Sequence, residues 1–297
     1  MTTEDSLAYI HQQDVEQVLS GIHIPSPPAL ILELHAQLNS DSPQFEKVVE
    51  LISTDAGISA GVIRMLNSPY YALSERDLSI QHAALALGMN TLMNIVRTLC
   101  LRAAMSQASL SPQQQTYQEK IWDSSALVAM MASTVSTLTG CCIPGRAYLL
   151  GLFCNAGMAL MLAQHENYVR VMHEAYIGNE PRLVDTELRY FDTNHALIGY
   201  YIAQSWHLPK LLCEAVAIHH DGRRHFAKAS TEFSPYKDML AVLKMAEHLS
   251  GSYQSLSNQT EDFEWMGIKE NVLHYLGLSE EQYQQIACQV SAKTIRI

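Results

Sequence analysis

Histidine is the residue type in this sequence with the greatest capacity for chemistry. The chain holds 13 histidines, and nine of them lie in its second half. His195 follows the run Asp-Thr-Asn, the pair His219-His220 ends an apolar segment, and Glu247 precedes a further histidine. Neutral imidazoles and carboxylates bind divalent metal ions. Adjacent residues on a helix point about 100° apart, so His219 and His220 share one ion only when a third ligand comes from another helix.

These side chains must be positioned by helices, because helical signals run along most of the sequence. Ser111 followed by Pro112 pairs a capping hydroxyl with a proline at the first helical position. Ser279, with Gln282 three residues later, predicts another capped start. No long alternation of apolar and polar residues occurs, so the sequence predicts an all-α fold. Apolar residues recur at the spacing of one helix face, as in Phe45, Val48, Val49 and Ile52.

The helical signals fall into three parts. We predict an N-terminal helical bundle over residues 1–110, which ends at a polar stretch around Ser109–Gln115. A second helical bundle follows over 111–250, and the first bundle is expected to pack on it. Residues 251–297 begin with a polar stretch and then return to a helical pattern, so we predict a helical extension there.

Composition excludes several classes of function. The chain has 19 basic and 30 acidic residues and a net charge of −11, which argues against nucleic-acid binding, because phosphate contacts need clustered basic groups. Its six cysteines show no C-x-x-C spacing and are expected to be free thiols in a cytoplasmic protein. The N-terminus lacks the basic start of a signal peptide. The apolar stretch Ala147–Gln164 is interpreted as a central bundle helix rather than a membrane span.

Several motifs, in order along the chain, resemble the HDOD family. The longest runs from Ile52 to Tyr71 and contains an acidic residue, Asp55, before a helix that ends in Asn-Ser-Pro-Tyr-Tyr. A helix from Ser79 to a closing Gly88 follows it. The resemblance covers about residues 20–250, and its other parts are the Pro-rich entry at 24–29, Trp122, Gly151-Leu152-Phe153, Asn194-His195-Ala196, Trp206-His207-Leu208-Pro209 and Ile218-His219-His220.

The resemblance implies a bacterial, helical, cytoplasmic signalling module whose second bundle is similar to the HD phosphohydrolase superfamily. Metal-bound members of that superfamily use a first His, a His-Asp doublet, later histidines and a final Asp. Aligned by motif, the first His falls at Ser124 and the final Asp at Glu247. The doublet falls at Cys154-Asn155, and an amide lacks the charge of a hard metal ligand.

The remaining histidines match positions that bind a second ion in two-metal relatives. Those residues are His195, His219 and His220, and they are the candidate metal ligands. The alternative is a polar pocket in which these histidines hydrogen-bond to one another, to Asn155 and to nearby carboxylates.

We therefore predict a non-catalytic HDOD-type regulatory module with no cofactor, acting through an unknown signalling protein or a small phosphorylated ligand such as a nucleotide. The competing hypothesis is a metal-dependent phosphohydrolase. It would use His195, His219, His220 and Glu247 around one Zn, Fe, Mn or Mg ion, with a bound water as the nucleophile.

The HDOD-like motif also offers a candidate interaction surface. It comprises Asp55, Asn67, Tyr70 and Tyr71. The structural alternative is that Asp55 and Asn67 cap helices while one of the tyrosines packs inward. Apolar helices rich in Met and Tyr are compatible with a homodimer.

Overall fold

The computed structural model describes residues 19, 21–40, 42, 44–66, 79–106, 109–177, 182–226 and 234–294. Throughout these residues the secondary structure is helical and no strand occurs. The predicted all-α fold is confirmed. The chain divides into two compact units, one formed by Ser26–Ser106 with Gln289–Ile297 and the other by Met1–Pro25 with Gln107–Cys288.

The unit that contains Ser26–Ser106 is built on a small helical core. Asp55 accepts a hydrogen bond from the backbone N–H of Ile58 at 2.9 Å and so caps a helix, as predicted. Ser79 likewise accepts from the N–H of His82, and Gly88 ends that helix with a φ of 78°. Its helices are α1 (Ala29–Leu38), α2 (Phe45–Thr54), α3 (Ala56–Leu66), α4 (Ile80–Leu87) and α5 (Met89–Met105).

The other unit carries the candidate ligands and is centred on a long helix, α6 (Pro112–Thr139). Ser111 caps its start and Pro112 follows, as predicted, and Gln114 completes a capping box that was not predicted from the sequence. The helices that follow are α7 (Pro144–Phe153), α8 (Ala156–Gln164), α9 (Tyr168–Tyr176), α10 (Leu183–Phe191), α11 (His195–Ser205), α12 (Lys210–Ala217), a 3-10 turn (His219–Asp221), α13 (Gly222–His225), α14 (Pro235–Ser250), α15 (Ser252–Ser257), α16 (Phe263–Tyr275) and α17 (Glu280–Thr294).

The apolar stretch at Pro144–Gln164 is long enough to span a membrane, but 83% of its most apolar window is buried within the protein. This burial is that of a core segment. The sequence predicts one helix here, whereas the structure has two, α7 and α8, which meet at Cys154 and Asn155. The break places these two residues between helices, where their side chains face the centre of the unit.

Gly157 allows α8 and α11 to approach each other backbone to backbone, and Gly199 lets α11 pack closely on α7 and α12. A Cβ atom on Gly157 would lie 2.1 Å from the carbonyl oxygen of His195 and 3.0 Å from the nitrogen of Gly199. A Cβ on Gly199 would lie 3.0 Å from Val216 Cγ1 and 3.4 Å from the carbonyl oxygen of Phe153. This close approach brings the start of α11, with His195, next to the break at Cys154 and Asn155.

Gly157→Ala is expected to destabilise the fold by more than the roughly 1–3 kcal/mol of ordinary overpacking, because the added methyl group meets backbone atoms that cannot rotate away. Urea-induced unfolding measures the loss. Gly145→Ala is the matched control, since a Cβ there has no atom within 4 Å, and we expect it to leave stability unchanged or raise it. Equal effects at the two positions would contradict the packing explanation.

Candidate functional site

Three histidines predicted from the sequence meet in the structure. One ring nitrogen from each of His195, His219 and His220 lies within 4.8 Å of the other two. The Nε2 atoms of His195 and His220 are 3.1 Å apart, at hydrogen-bond distance. The ring centroid of His195 lies 5.3 Å from that of His219 and 5.0 Å from that of His220. The start of α11 and the turn after α12 therefore supply one imidazole cluster.

A buried carboxylate fixes the orientation of His195. Glu187 on α10 is fully buried, and its Oε2 atom lies 2.6 Å from Nδ1 of His195. The same carboxylate accepts the backbone N–H of His195 at 3.2 Å and the hydroxyl of Tyr168 at 2.5 Å. Because Nδ1 faces the carboxylate, Nε2 is the ring nitrogen of His195 that faces the other histidines. Metal-binding histidines are commonly oriented by a carboxylate in this way.

His219 is oriented by the backbone instead. Its Nδ1 donates to the carbonyl oxygen of Val216 at 2.7 Å, and its Nε2 atom is buried with no hydrogen-bond partner in the described part of the chain. Burial lowers the pKa of His219 well below its usual value, and His195 and Lys244 lower it further. The pKa of His220 is lowered for the same main reason. Both rings are therefore neutral and can offer a lone pair.

A second donor set shares His219. Cys154, His219 and Glu247 each place one ligand atom within 4.8 Å of the others. Cys154 is fully buried, and its Sγ contacts the carbonyl oxygen of Gly151 at 3.3 Å. Burial raises the pKa of the Cys154 thiol far above its usual value. The thiol is therefore protonated unless a cation binds to it.

The only carboxylate in these two donor sets is Glu247, which forms a salt bridge with the buried Lys244. The Nζ atom of Lys244 lies 2.9 Å from Glu247 Oε2 and 3.0 Å from Glu264 Oε2. Burial lowers the pKa of Lys244, but the two carboxylates outweigh this effect and raise it above its usual value. Burial raises the pKa of Glu264 to about 7, although Lys244 lowers it. With one cation and two carboxylates, the formal charge of this group is −1 when Glu264 is ionised.

A cavity of about 110 Å³ opens beside this ionic group. It is smaller than the cavity of about 150 Å³ that holds benzene in another protein. Its cations are Arg182, Arg223 and Lys244. Arg182 forms salt bridges with Asp185 and Asp221, so it is already neutralised. The carboxylates that line the cavity are Glu247, Glu261, Asp262 and Glu264.

The other candidate residues predicted from the sequence do not all lie at the imidazole cluster. Asn155 lines the cavity with His220 and Glu247, but Ser124 is a buried residue of α6 whose hydroxyl has no partner among the described residues. Asp55 is exposed and acts as a helix cap. The predicted interaction surface stays a prediction, because Asn67, Tyr70 and Tyr71 lie outside the described residues.

Sequence reasoning missed three residues of this site. Glu187 precedes His195 by eight residues, and no local motif indicates that they meet. Lys244 had a signal, since it is a charged residue directly after the apolar run at 239–243 of α14 and lies three residues before Glu247. Glu264 belongs to the extension after residue 250, which the resemblance does not cover.

The donor set does not fit the two-metal centre of the HD superfamily. A hard two-metal site uses carboxylate and imidazole ligands, often with one carboxylate bridging both ions. By the motif alignment of the sequence, Ser124 and Asn155 are expected where that centre has an imidazole and a carboxylate. The donors that do meet are imidazoles, one thiol and one carboxylate, and this set suits a single, softer ion.

Glu187→Ala is expected to destabilise the protein by roughly 2–5 kcal/mol, because it leaves the Tyr168 hydroxyl and the His195 ring buried without their acceptor. Glu187→Gln keeps one carbonyl oxygen and is expected to cost less. Urea-induced unfolding of both variants tests the order. If Glu187→Ala is as stable as the unsubstituted chain, the carboxylate does not hold this pair.

Solved structures share the fold of this chain. The crystal structure of an HDOD domain protein of unknown function from Geobacter sulfurreducens matches with a TM-score of 0.67 and 21% identity, covering 99% of this chain and 96% of that one. A presumed phosphohydrolase from Shewanella amazonensis matches with a TM-score of 0.65 and 18% identity, covering 98% and 94%. At these identities the similarity shows the fold alone.

The curated relatives match this chain over less than half of their own length. An uncharacterized protein of Treponema pallidum is 23% identical over 225 residues, which are 75% of this chain and 42% of the relative. YuxH of Bacillus subtilis, also uncharacterized, is 25% identical over 137 residues, or 46% of this chain and 32% of the relative. This chain thus spans less than half the length of the curated relatives it matches. The HDOD domain model matches residues 24–222, about two thirds of the sequence, and the chain belongs to the HDOD family.

Proposed function

We propose that this protein is a non-hydrolytic regulatory module of the HDOD family, acting in the cytoplasm as a signalling component. The observation that carries the proposal is the ion pair of Lys244 with Glu247 and Glu264. A fixed ammonium group supplies positive charge at the only carboxylate of the donor sets. It cannot replace a metal ion in polarising a phosphate ester or in generating hydroxide.

The residues around this ion pair support the same proposal. Hydrolysis by the HD mechanism needs a metal-bound water, held by hard ligands at the doublet. Cys154 and Asn155 occupy that position, and the thiol of Cys154 is buried and protonated. Asn155 lines the cavity with an amide that carries no charge. The doublet position therefore offers neither an imidazole nor a carboxylate to a two-metal centre.

The charges of the cavity favour a protein partner over a small phosphorylated ligand. A phosphate group entering the cavity would have to compete with Asp185 and Asp221 for Arg182, and with Glu247 and Glu264 for Lys244. It would also approach the carboxylates of Glu261 and Asp262. Burying an anion among carboxylates is unfavourable. We therefore propose that the module relays its signal through a protein partner, and phosphate or nucleotide binding would contradict this part of the proposal.

The purified chain is expected to show no phosphodiesterase activity in the presence of added Mn²⁺. A chromogenic phosphodiester assay on the full chain measures turnover, with His219→Ala as the control for contamination. Turnover that requires Mn²⁺ and disappears in His219→Ala would overturn the non-hydrolytic proposal. Turnover that persists in His219→Ala comes from a contaminant and leaves the proposal standing.

Lys244→Met is expected to destabilise the protein by roughly 3–5 kcal/mol near neutral pH, because Glu247 and Glu264 lose their shared cation. Urea-induced unfolding measures this loss. Lys210→Met is the matched control, because Lys210 is 79% exposed and lies 3.6 Å from Glu214. Exposed ion pairs contribute about 0–1 kcal/mol, so the control is expected to change stability little.

Added Mn²⁺ should also stabilise Lys244→Met more than the unsubstituted chain, because a divalent cation can then take the place of the ammonium group. Equal stability of Lys244→Met and Lys210→Met would show that the buried lysine does not neutralise this site.

A further inference from the structure

We propose that Cys154, His219 and Glu247 bind one Zn²⁺ ion. This site takes the place of the two-metal centre of hydrolytic relatives, and its assignment to a regulatory ion rests on the proposed non-hydrolytic function. Each of the three residues places one ligand atom within 4.8 Å of the other two. One ion between them can therefore contact the sulfur, the imidazole and the carboxylate, with a solvent molecule as the fourth ligand.

Nε2 of His219 carries a lone pair that no described residue uses. Its ring is fully buried, and Nδ1 is committed to the carbonyl oxygen of Val216. Nε2 lacks a partner among the described residues. A buried acceptor without a partner costs free energy, and native proteins rarely leave one unsatisfied without a functional reason. A metal ion satisfies this nitrogen without any change in the orientation of the ring.

His195 and His220 satisfy each other, which leaves His219 as the available ligand. The Nε2 atoms of His195 and His220 are 3.1 Å apart, at hydrogen-bond distance. Because Nδ1 of His195 donates to Glu187, Nε2 of His195 accepts this hydrogen bond and Nε2 of His220 donates it. Among the described residues, Nε2 of His219 has no such partner.

The sulfur of Cys154 determines which metal ion the site prefers. Cys154 stands where hydrolytic relatives have the first residue of the doublet, and it is fully buried. Thiolate sulfur prefers zinc to magnesium or manganese, whereas carboxylate and water favour the harder ions. The change from imidazole to thiol at this position therefore changes the metal that the site selects. Other buried cysteines of the chain, such as Cys213, belong to neither donor set.

Charge balance also favours one divalent ion. With Glu247 and Glu264 both ionised, these carboxylates and Lys244 together carry a formal charge of −1. On binding, Zn²⁺ forms a bond to the Cys154 sulfur as the S–H bond breaks, and the proton leaves to solvent. The ion and the thiolate add a net charge of +1, so the whole group becomes neutral. A neutral buried group avoids the cost of an uncompensated charge.

Lys244 does not block this ion. Its Nζ contacts Oε2 of Glu247, which leaves Oε1 as a ligand atom. Its second contact, to Glu264 Oε2, holds the ammonium group in place. The ammonium and the zinc ion thus share one carboxylate, and together they supply the positive charge that two metal ions supply elsewhere in the superfamily. The arrangement admits one divalent ion.

Cobalt substitution tests the site without an activity assay. The full chain is stripped with a chelator, and Co²⁺ is titrated while the near-ultraviolet spectrum is recorded. We expect one Co²⁺ per chain, a thiolate-to-cobalt charge-transfer band, and displacement of Co²⁺ by Zn²⁺ but not by an excess of Mg²⁺. Cobalt binding without this band, or no binding, would overturn the proposal.

Variants assign the ligands. Cys154→Ser and His219→Ala are each expected to lose the band and to weaken zinc binding by more than the roughly 10–100-fold that loss of an outer-shell partner causes. Cys213→Ser and Cys288→Ser are the matched controls, one buried and one exposed, and both should keep the band. A band that survives in Cys154→Ser contradicts the assignment. If Cys154→Ser fails to fold, the spectrum of the unsubstituted chain still decides whether a thiolate binds the ion.

The outcome is separable from that of the hydrolysis assay. Mn²⁺-dependent turnover with no thiolate band would overturn both proposals. A thiolate band with turnover would keep the zinc site and reject the non-hydrolytic function. A chain with neither band nor turnover would keep the regulatory function and reject the zinc site.

Discussion

The salt bridges of Lys244 with Glu247 and Glu264 are the interaction on which the chemistry of this molecule depends. A buried ammonium group is stable only beside compensating carboxylates, so its presence fixes where those carboxylates stand and what charge is left over. When both carboxylates are ionised, they and the one cation leave a single negative charge beside the imidazole cluster. That balance suits one divalent ion and opposes both a two-metal centre and an anionic ligand.

A close backbone contact between α8 and α11 places His195 beside Cys154 and Asn155. Gly157 lets α8 contact the backbone of α11 at His195, and the helix break at Cys154 and Asn155 directly precedes α8. His195 then begins its helix beside the break, held by Glu187. Close packing makes such a position rigid, because core atoms have no free volume to move into. The geometry of the imidazole cluster is therefore a property of the fold and not of a loop.

Local patterns predicted the fold well. The caps at Asp55, Ser79, Ser111 and Ser279 involve partners only three residues away, so the sequence displays them directly. The imidazole cluster was predictable only through the family motif, because its members lie up to 25 residues apart. Glu187 and Glu264 were missed, since their roles arise from tertiary contacts that no spacing reveals. The break in Pro144–Gln164 was missed too, because an uninterrupted apolar run gives no stop signal.

The salt-bridged group of Lys244, Glu247 and Glu264 lies wholly beyond residues 24–222, the region that the family model matches. The three clustered histidines lie within that region, so the imidazoles and the charges beside them come from different stretches of sequence. Shortened versions that follow the family boundary would remove these charged residues together with a wall of the cavity, including Phe263 and Trp265. A truncation at the family boundary therefore separates the imidazole cluster from its electrostatic surroundings, so expression of this protein should retain the helices that follow the motif.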